Sequence, residues 1–287
     1  MNASSWFEIA TARQKIATIT TTVEFLLRDN SASKKANSLD VPLFPGRDVD
    51  LILDIKSHPP KPGLNTREGQ ARMLHDLGNI ELQAMELAVR TLAEFPEAPM
   101  LFREELAAVA LEEARHFGLC LNALEELGHP WGSWPVHRSL WDVVAKDDLL
   151  ERVLIVHRYM EGAGLDAGSR LMERLSGVAA PLAKEVVGTI LREEVGHVSF
   201  GSTWYRKICE AHKIDADLFF QRAYPKILAA IPRNEKPDFE IRRRAGFNDA
   251  ELEVIRIALE NTDFNLKRVG EKQSLREALQ GTRPSQT

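Results

Sequence analysis

Cysteine is scarce in this sequence of 287 residues, which contains only two, Cys120 and Cys209. No Cys-x-x-Cys pair is present, and this excludes an attached rubredoxin-type iron centre. The sequence also lacks an apolar run long enough to span a bilayer, and no charged-then-apolar leader opens it. We therefore expect a cytoplasmic protein without membrane contact.

Positive charge is not in excess either. The sequence has 37 Lys and Arg against 42 Asp and Glu, a formal net charge of -5. Such a balance provides no electrostatic attraction for nucleic acid or for an acidic membrane, although Arg242 to Arg244 form a local basic cluster. The apolar fraction of 44% and the charged fraction of 28% are those of an ordinary globular protein.

What the sequence does contain is one five-residue pattern that occurs twice, as EEARH at 112–116 and as EEVGH at 193–197. Each copy holds a Glu-x-x-His pair, Glu113 with His116 and Glu194 with His197. Residues three apart on an α-helix lie on the same face, so the carboxylate and the imidazole can reach one point. Two such helices, with one Glu from each of two further helices, form the ligand set of a di-iron or di-manganese site in a four-helix bundle.

The two further carboxylates are predicted by their distance from a turn. In an antiparallel helix pair, residues equidistant from the turn lie at the same level. Glu81 and Glu113 lie about 16 residues on either side of the turn signal near position 97. Glu161 and Glu194 lie about 16 to 17 residues on either side of the turn near 177. Each predicted hairpin therefore places a Glu opposite a Glu-x-x-His pair.

Other residues compete for these roles. Glu86 is an alternative ligand on the first bundle helix, but it shares a face with Gln83 and Arg90, which predicts exposure to solvent. A third Glu-x-x-His at 126–129 is set aside because Gly128 and Pro130 end the helix there. A structural polar cluster is the alternative to a metal site. The two retained pairs lie on apolar stripes, and because a buried carboxylate needs a partner, this favours metal.

The predicted fold is all-α, a ferritin-like four-helix bundle with one long crossover. Four segments are expected: an N-terminal helix and irregular strap (1–65), the bundle (66–212), a C-terminal helical extension (213–275) and a disordered tail (276–287). The third bundle helix is predicted over about 147–176 and the fourth over about 181–212. The extension has helical patterns at 215–230 and 248–260, and it is expected to pack on the bundle or on a second subunit of a homodimer.

The crossover near 129–145 contains Trp131 and Trp134, which are expected to anchor it to the bundle helices rather than to line a substrate pocket. Two further side chains are candidates for support of the metals. His157 lies one turn before Glu161, and Tyr205 lies two turns after His197. A core position is the alternative for each. Small residues beside the site are expected to leave room for a substrate pocket or to allow close packing: Gly162, Gly164, Gly168, Ala84 and Ala88.

The residues around the predicted ligands resemble a known family. The stretches are 75–81 (HDLGNIE), 112–117 (EEARHF), 161–167 (EGAGLDA) and 192–198 (REEVGHV), and Trp204-Tyr205 continues the last of them. They are similar to the ferritin-like family catalogued as domain of unknown function 455, over roughly residues 65–230. Within the wider superfamily they resemble the tRNA-hydroxylating di-iron monooxygenases. The resemblance implies six ligands at the positions already derived: Glu81, Glu113, His116, Glu161, Glu194 and His197.

The expected function follows from this ligand set. Four carboxylates and two imidazoles suit two Fe ions, with Mn as an alternative, rather than a closed zinc site. We expect a di-iron or Fe/Mn carboxylate oxidase or monooxygenase that takes O2, a small-molecule or RNA substrate and an external electron donor. A tRNA-modifying hydroxylase is one alternative, and it requires Arg242 to Arg244 to lie beside the bundle opening. A non-enzymatic iron-binding or storage protein is the other.

Overall fold

The computed structural model describes residues 3–28, 41–49, 51–144, 148–233 and 236–265. Over these residues the regular secondary structure is helical, apart from one isolated parallel β-bridge between Ile52 and Val136. This confirms the predicted all-α class. No helix in this part of the chain is long and apolar enough to cross a membrane. The chain divides into two compact units, Met1–Asp142 with Met172–Gly188 and Val143–Leu171 with Thr189–Thr287.

The first unit is built around a hairpin of two long helices. Its helices in chain order are α1 (Ala3–Phe7), α2 (Ala12–Arg28), α3 (Arg67–Glu94), α4 (Met100–Glu126) and the start of α5 (Ser139–Val143). Thr66 caps α3 by accepting the Gly69 N–H, and the turn between α3 and α4 lies where the sequence predicts it. After α4, Gly128 adopts φ +81°. That left-handed conformation ends the helix before His129 and rules out the third Glu-x-x-His pair.

The predicted N-terminal helix is divided into α1 and α2, because the strap packs into the break between them. Gly46 donates its N–H to the Phe7 carbonyl at 2.7 Å. A Cβ on Gly46 would lie 2.6 Å from the Glu8 carbonyl oxygen, so only glycine allows this approach. The strap itself is irregular, as predicted, with one 3-10 turn at Ile55–Ser57; residues 29–40 and 50 lie outside the described part.

One face of α3 is both polar and buried. Its residues recur every three or four positions, and we call them the polar seam: Arg72, His75, Asn79, Gln83 and Glu86. The prediction that Glu86 and Gln83 face solvent is therefore wrong. The strap and the crossover cover this face, and their irregular backbone needs polar partners that a helix or sheet would otherwise supply.

The hydrogen bonds of the polar seam show how it holds the crossover. The carboxamide oxygen of Gln83 accepts the N–H groups of Leu140 and Trp141 at 3.1 and 3.3 Å. The side-chain amide of Asn79 donates to the His137 carbonyl at 3.1 Å. The polar seam thus replaces water as the partner of the crossover backbone.

The tryptophans of the crossover pack against α3 and α4, in agreement with the anchoring role predicted for them. Trp131 stacks on His75 of α3 with 4.7 Å between ring centroids, and it meets Phe117 of α4 edge-on at 5.1 Å. Its indole N–H donates to Asp48 of the strap at 2.9 Å. Trp134 contacts His75 at 5.5 Å. These rings fix the crossover and the strap on the α3–α4 hairpin.

Glu86 forms a deeply buried charge cluster in this unit. Its carboxylate pairs with both terminal nitrogens of Arg47 and with the ammonium of Lys15. Glu86 and Lys15 are both 0% exposed. Burial lowers the pKa of Lys15, and the Glu86 charge opposes that effect. The cluster joins α2, the strap and α3.

The second unit contains the remaining helices: α6 (Leu149–Arg152), a π-helix (Val153–Met160), α7 (Glu161–Ser176), α8 (Pro181–Ala211), α9 (Ala216–Ala230), α10 (Phe239–Arg244) and α11 (Asp249–Asn265). The ends of α7 and α8 near their shared turn belong to the first unit. The third bundle helix was predicted as a single α-helix over about 147–176, whereas the structure has a π-helix at Val153–Met160 within this range. α10 is also additional, whereas α9 and α11 match the predicted patterns. The predicted tail lies outside the described residues.

Two glycines explain how closely α8 approaches the preceding helix. A Cβ on Gly168 would lie 2.9 Å from Leu191, and a Cβ on Gly201 would lie 2.8 Å from the His157 carbonyl oxygen. A Cβ on Gly162 would meet Arg242 at 3.1 Å. Gly162 and Gly168 therefore serve close packing, which was one of the two predicted roles.

We predict that Glu86→Gln destabilises the protein by about 3–5 kcal/mol, because it leaves two buried cations without their carboxylate. Urea unfolding measures the loss. Glu104→Gln, at an exposed position of α4, is the control and should change stability by less than about 0.5 kcal/mol. Equal effects of the two substitutions would contradict the buried cluster.

A second prediction concerns acid sensitivity at the crossover. Burial, together with the nearby His58, lowers the pKa of His137 to about 4. The imidazole of His137 has a pKa of about 6.5 in the unfolded chain. Between about pH 6.5 and pH 4 the unfolded state therefore binds a proton that the folded state does not. The free energy of unfolding must then decrease as the pH falls through this range. His137→Asn retains an acceptor for the Ser139 hydroxyl and should lose this part of the pH dependence. Parallel stability curves for the two proteins between pH 7 and 5 would refute the assignment.

Candidate metal centre

Three predicted ligands converge inside the first unit. Glu81 comes from α3, and Glu113 and His116 come from the facing stretch of α4. The Nδ1 atom of His116 lies 3.4 Å from a carboxylate oxygen of Glu81 and 3.8 Å from one of Glu113. The side chains are 5%, 1% and 0% exposed in the order Glu81, Glu113, His116. Glu81 thus lies close to the Glu-x-x-His pair of α4, as its distance from the turn near position 97 predicts.

Apolar side chains surround these ligands on α4. The stripe predicted from the sequence is buried throughout: Leu106, Val109, Ala110, Phe117, Cys120 and Leu124. Burial, and next the charge of Glu81, raise the pKa of the Cys120 thiol well above its ordinary value, so Cys120 is a neutral packing residue here. Carboxylates in such surroundings are stable only with compensating charge and hydrogen bonds, and a metal ion supplies the charge.

The other three predicted ligands lie in the second unit. Glu161 opens α7, and Glu194 and His197 lie on α8. The Nδ1 atom of His197 is 3.3 Å from a carboxylate oxygen of Glu194. Burial raises the pKa of Glu161; His157 opposes this effect, and the Glu194 charge adds to it. Glu161 is thus close enough to the α8 pair to interact with it electrostatically.

His157 and Tyr205, the two supporting candidates, have different roles. The Nδ1 atom of His157 lies 2.7 Å from a carboxylate oxygen of Glu161, so this histidine contacts a predicted ligand directly. The other oxygen of Glu161 is buried and has no hydrogen-bond partner within the described part of the chain. Tyr205 donates its hydroxyl to the Ala216 carbonyl at 2.7 Å, and burial raises its pKa. It is a core aromatic residue, which was the alternative for it.

Four of the six side chains form one compact group. Glu113, His116, Glu194 and His197 each offer one ligand atom, and these atoms all lie within 4.8 Å of one another. Three of the four residues are buried, and Glu194 is half-buried. Carboxylate oxygen and imidazole nitrogen are suitable donors for Fe or Mn. The residues present therefore fit a metal centre, and the unpartnered oxygen of Glu161 is a further donor available to it.

Glu86, the competing carboxylate, is excluded from this group because Lys15 and Arg47 occupy it. Two arginines of the basic cluster at 242–244 are likewise paired with carboxylates. Arg242 is 2% exposed and binds Asp166 through Nε and Nη2, at 3.0 and 2.6 Å. Arg243 pairs with Glu240 and Asp249. Arg242 is therefore a structural residue and cannot contribute to a nucleic-acid surface.

A third buried ion pair, between Arg158 of the π-helix and Glu251 of α11, was not predicted from the sequence. Part of the signal was present, because Asn248 and Glu251 have the spacing of a helix-capping box. Each indeed accepts the other's backbone N–H, at 2.8 and 3.0 Å. The sequence pattern did not indicate that Arg158 would be the partner of Glu251.

Comparisons with known proteins found a family and a relative of this chain. The family described as "Protein of unknown function (DUF455)" matches residues 8–253, a range that includes all six predicted ligands and Glu251. An uncharacterized protein of Haemophilus influenzae is 31% identical over 205 residues, which cover 68% of this chain and 71% of that protein. No solved structure matches the chain.

Proposed function

The chain belongs to the DUF455 family of proteins of unknown function, and we propose that it is a non-haem di-iron, or Fe/Mn, carboxylate oxidase or monooxygenase. The observation that carries the proposal is the compact group of Glu113, His116, Glu194 and His197. Two carboxylates and two imidazoles whose donor atoms lie within 4.8 Å of one another could hold metal, and the number of ions, two, is part of the proposal.

Six residues would hold the ions: Glu81, Glu113, His116, Glu161, Glu194 and His197. Four carboxylates balance the charge of two divalent cations. Glu113 and Glu194 would each share an ion with the histidine one turn further along the helix. Glu81 and Glu161 would supply the remaining two carboxylates. Bound iron supplies the one-electron and O2 chemistry, while the protein supplies geometry and excludes water.

The candidate carboxylates Glu161 and Glu194 are more exposed than Glu113. The side chains of Glu161 and Glu194 are 10% and 14% exposed, against 1% for Glu113. Gly164 lies three residues after Glu161 on the same helix face; it is exposed, and a Cβ there would meet nothing within 4 Å. We propose that O2 and a small-molecule substrate approach the metals from the Glu161 side, with electrons from an external donor in the cytoplasm.

A test of the ligand assignment uses metal content. Glu113→Ala and Glu194→Ala should each lose at least one of two ions per chain, because each removes a carboxylate from the compact group of four side chains. Elemental analysis of the iron-loaded, folded proteins measures this. Glu86→Gln is the matched control, since that carboxylate is buried but engaged by cations, and its folded fraction should keep both ions. Two ions in Glu113→Ala would overturn the assignment.

A second test separates an oxidase from an iron-storage protein. Gly164→Leu should fill the open space next to Glu161 and lower substrate oxidation at least about tenfold, while metal content stays at two ions per chain. Gly118→Leu on α4, where a Cβ also meets nothing within 4 Å, is the control and should change neither.

Iron uptake against O2 consumed provides the decisive comparison. An oxidase stops at two ions per chain in both variants. A storage protein would continue to take up iron to tens of ions per chain, and Gly164→Leu would not change this.

A further inference from the structure

The π-helix Val153–Met160 directly precedes the metal-ligand candidate Glu161. The Glu161 N–H donates to the carbonyl of Val156, five residues earlier, which is the hydrogen bond that defines a π-helix. All eight residues of the segment are buried. Since π-helical segments are rare and less favourable than α-helix, something must hold this one in place.

The first restraint is Arg158. It is 0% exposed and binds both carboxylate oxygens of Glu251 at 2.9 Å. Its guanidinium carbon lies 4.3–5.0 Å from the centroids of three aromatic rings: Tyr205, Phe220 and Phe247. A bidentate charge-assisted pair inside an aromatic cage allows one orientation of the guanidinium.

Glu251 cannot follow Arg158 if the π-helix shifts, because other groups fix it. One carboxylate oxygen also accepts Arg206 at 2.8 Å, and the other accepts the backbone N–H of Asn248 at 3.0 Å. The carboxylate is therefore held by the first turn of α11. The C-terminal helices provide a rigid anchor for the π-helix.

The second restraint acts on the neighbouring residue, His157. A Cβ on Gly201 would lie 2.6 Å from the His157 Cβ and 2.8 Å from its carbonyl oxygen, so α8 contacts the π-helix backbone here. Phe200 meets the imidazole edge-on, with ring centroids 5.2 Å apart. In this position the Nδ1 atom of His157 lies 2.7 Å from the Glu161 carboxylate.

We propose that Arg158, through its ion pair with Glu251, is a positioning residue for Glu161. Consecutive residues of the π-helix are fixed on different sides, Arg158 in the aromatic cage and His157 against Gly201. Together they set the rotation of the segment and thereby the place of the Glu161 carboxylate. This inference rests on the proposed function, because it gives the ion pair a role at the same metal centre.

Stability alone does not explain this arrangement. Replacing a buried ion pair by apolar residues of similar volume is often neutral or stabilising. The pair instead fixes one conformation of a helix that would otherwise relax to α-helical geometry. Groups that orient a metal ligand typically change metal affinity by 10- to 100-fold when they are removed.

The test compares stability with metal affinity in one variant. In the double variant Arg158→Met and Glu251→Leu, both charges are removed, so we expect a folded protein with near-native thermal stability. It should bind one of the two ions 10- to 100-fold more weakly than the wild type. Anaerobic Fe(II) titration followed by elemental analysis measures this without reference to any substrate. Arg256→Met is the control: it removes an exposed, ion-paired arginine from α11, the helix that carries Glu251, and should keep native affinity for both ions.

The outcomes distinguish failure of the proposed function from failure of the inference about Arg158. A wild type that binds no iron overturns the proposed function and this inference with it. A wild type with two ions and a folded double variant with native affinity for both overturns the inference alone. If the double variant does not fold, Gly201→Ala decides, because it displaces the same segment from the α8 side. Loss of affinity for one ion supports the inference, and unchanged affinity rejects it.

Discussion

A carboxylate inside a helical protein needs a positive charge beside it, and the structure is organised by how each buried acid meets this need. Glu86 pairs with Lys15 and Arg47, Glu251 with Arg158 and Arg206, and Asp166 with Arg242. Each pair also joins segments that are distant in sequence: the strap to α3, α11 to the π-helix, and α10 to α7. Burial of charge here defines which segments pack together.

The carboxylates of the candidate metal centre differ from these in their neighbours. Glu81 and Glu113 lie beside the imidazole of His116, Glu194 beside that of His197, and Glu161 beside that of His157. A neutral imidazole is a metal donor, whereas a guanidinium is not. The distinction between acids paired with arginine or lysine and acids paired with histidine therefore separates structural ion pairs from ligand candidates in this chain.

The parts of the structure that could be predicted from sequence are those fixed by local rules. Helix period and turn position predicted that Glu81 lies opposite the Glu113 and His116 pair, and the glycine at 128 ruled out a false Glu-x-x-His pair. The polar seam of α3 could not be predicted, because a polar face that binds irregular backbone has the same sequence pattern as a face that binds water. The π-helix was missed for a related reason. Two residues hold the π-helix in place: Glu251, which is 93 residues from Arg158, and Gly201, which is 44 residues from His157. Helix propensity depends on neighbouring residues and contains no information about such distant contacts.

The central claim is that two metal ions lie among six named side chains. Anomalous X-ray scattering at the iron edge, from crystals of the protein loaded with Fe(II) without oxygen, tests it most directly. The account predicts two peaks about 3.5–4 Å apart, each within coordination distance of one of the histidines His116 and His197. No peak at these residues, or iron bound at another place in the chain, would contradict it.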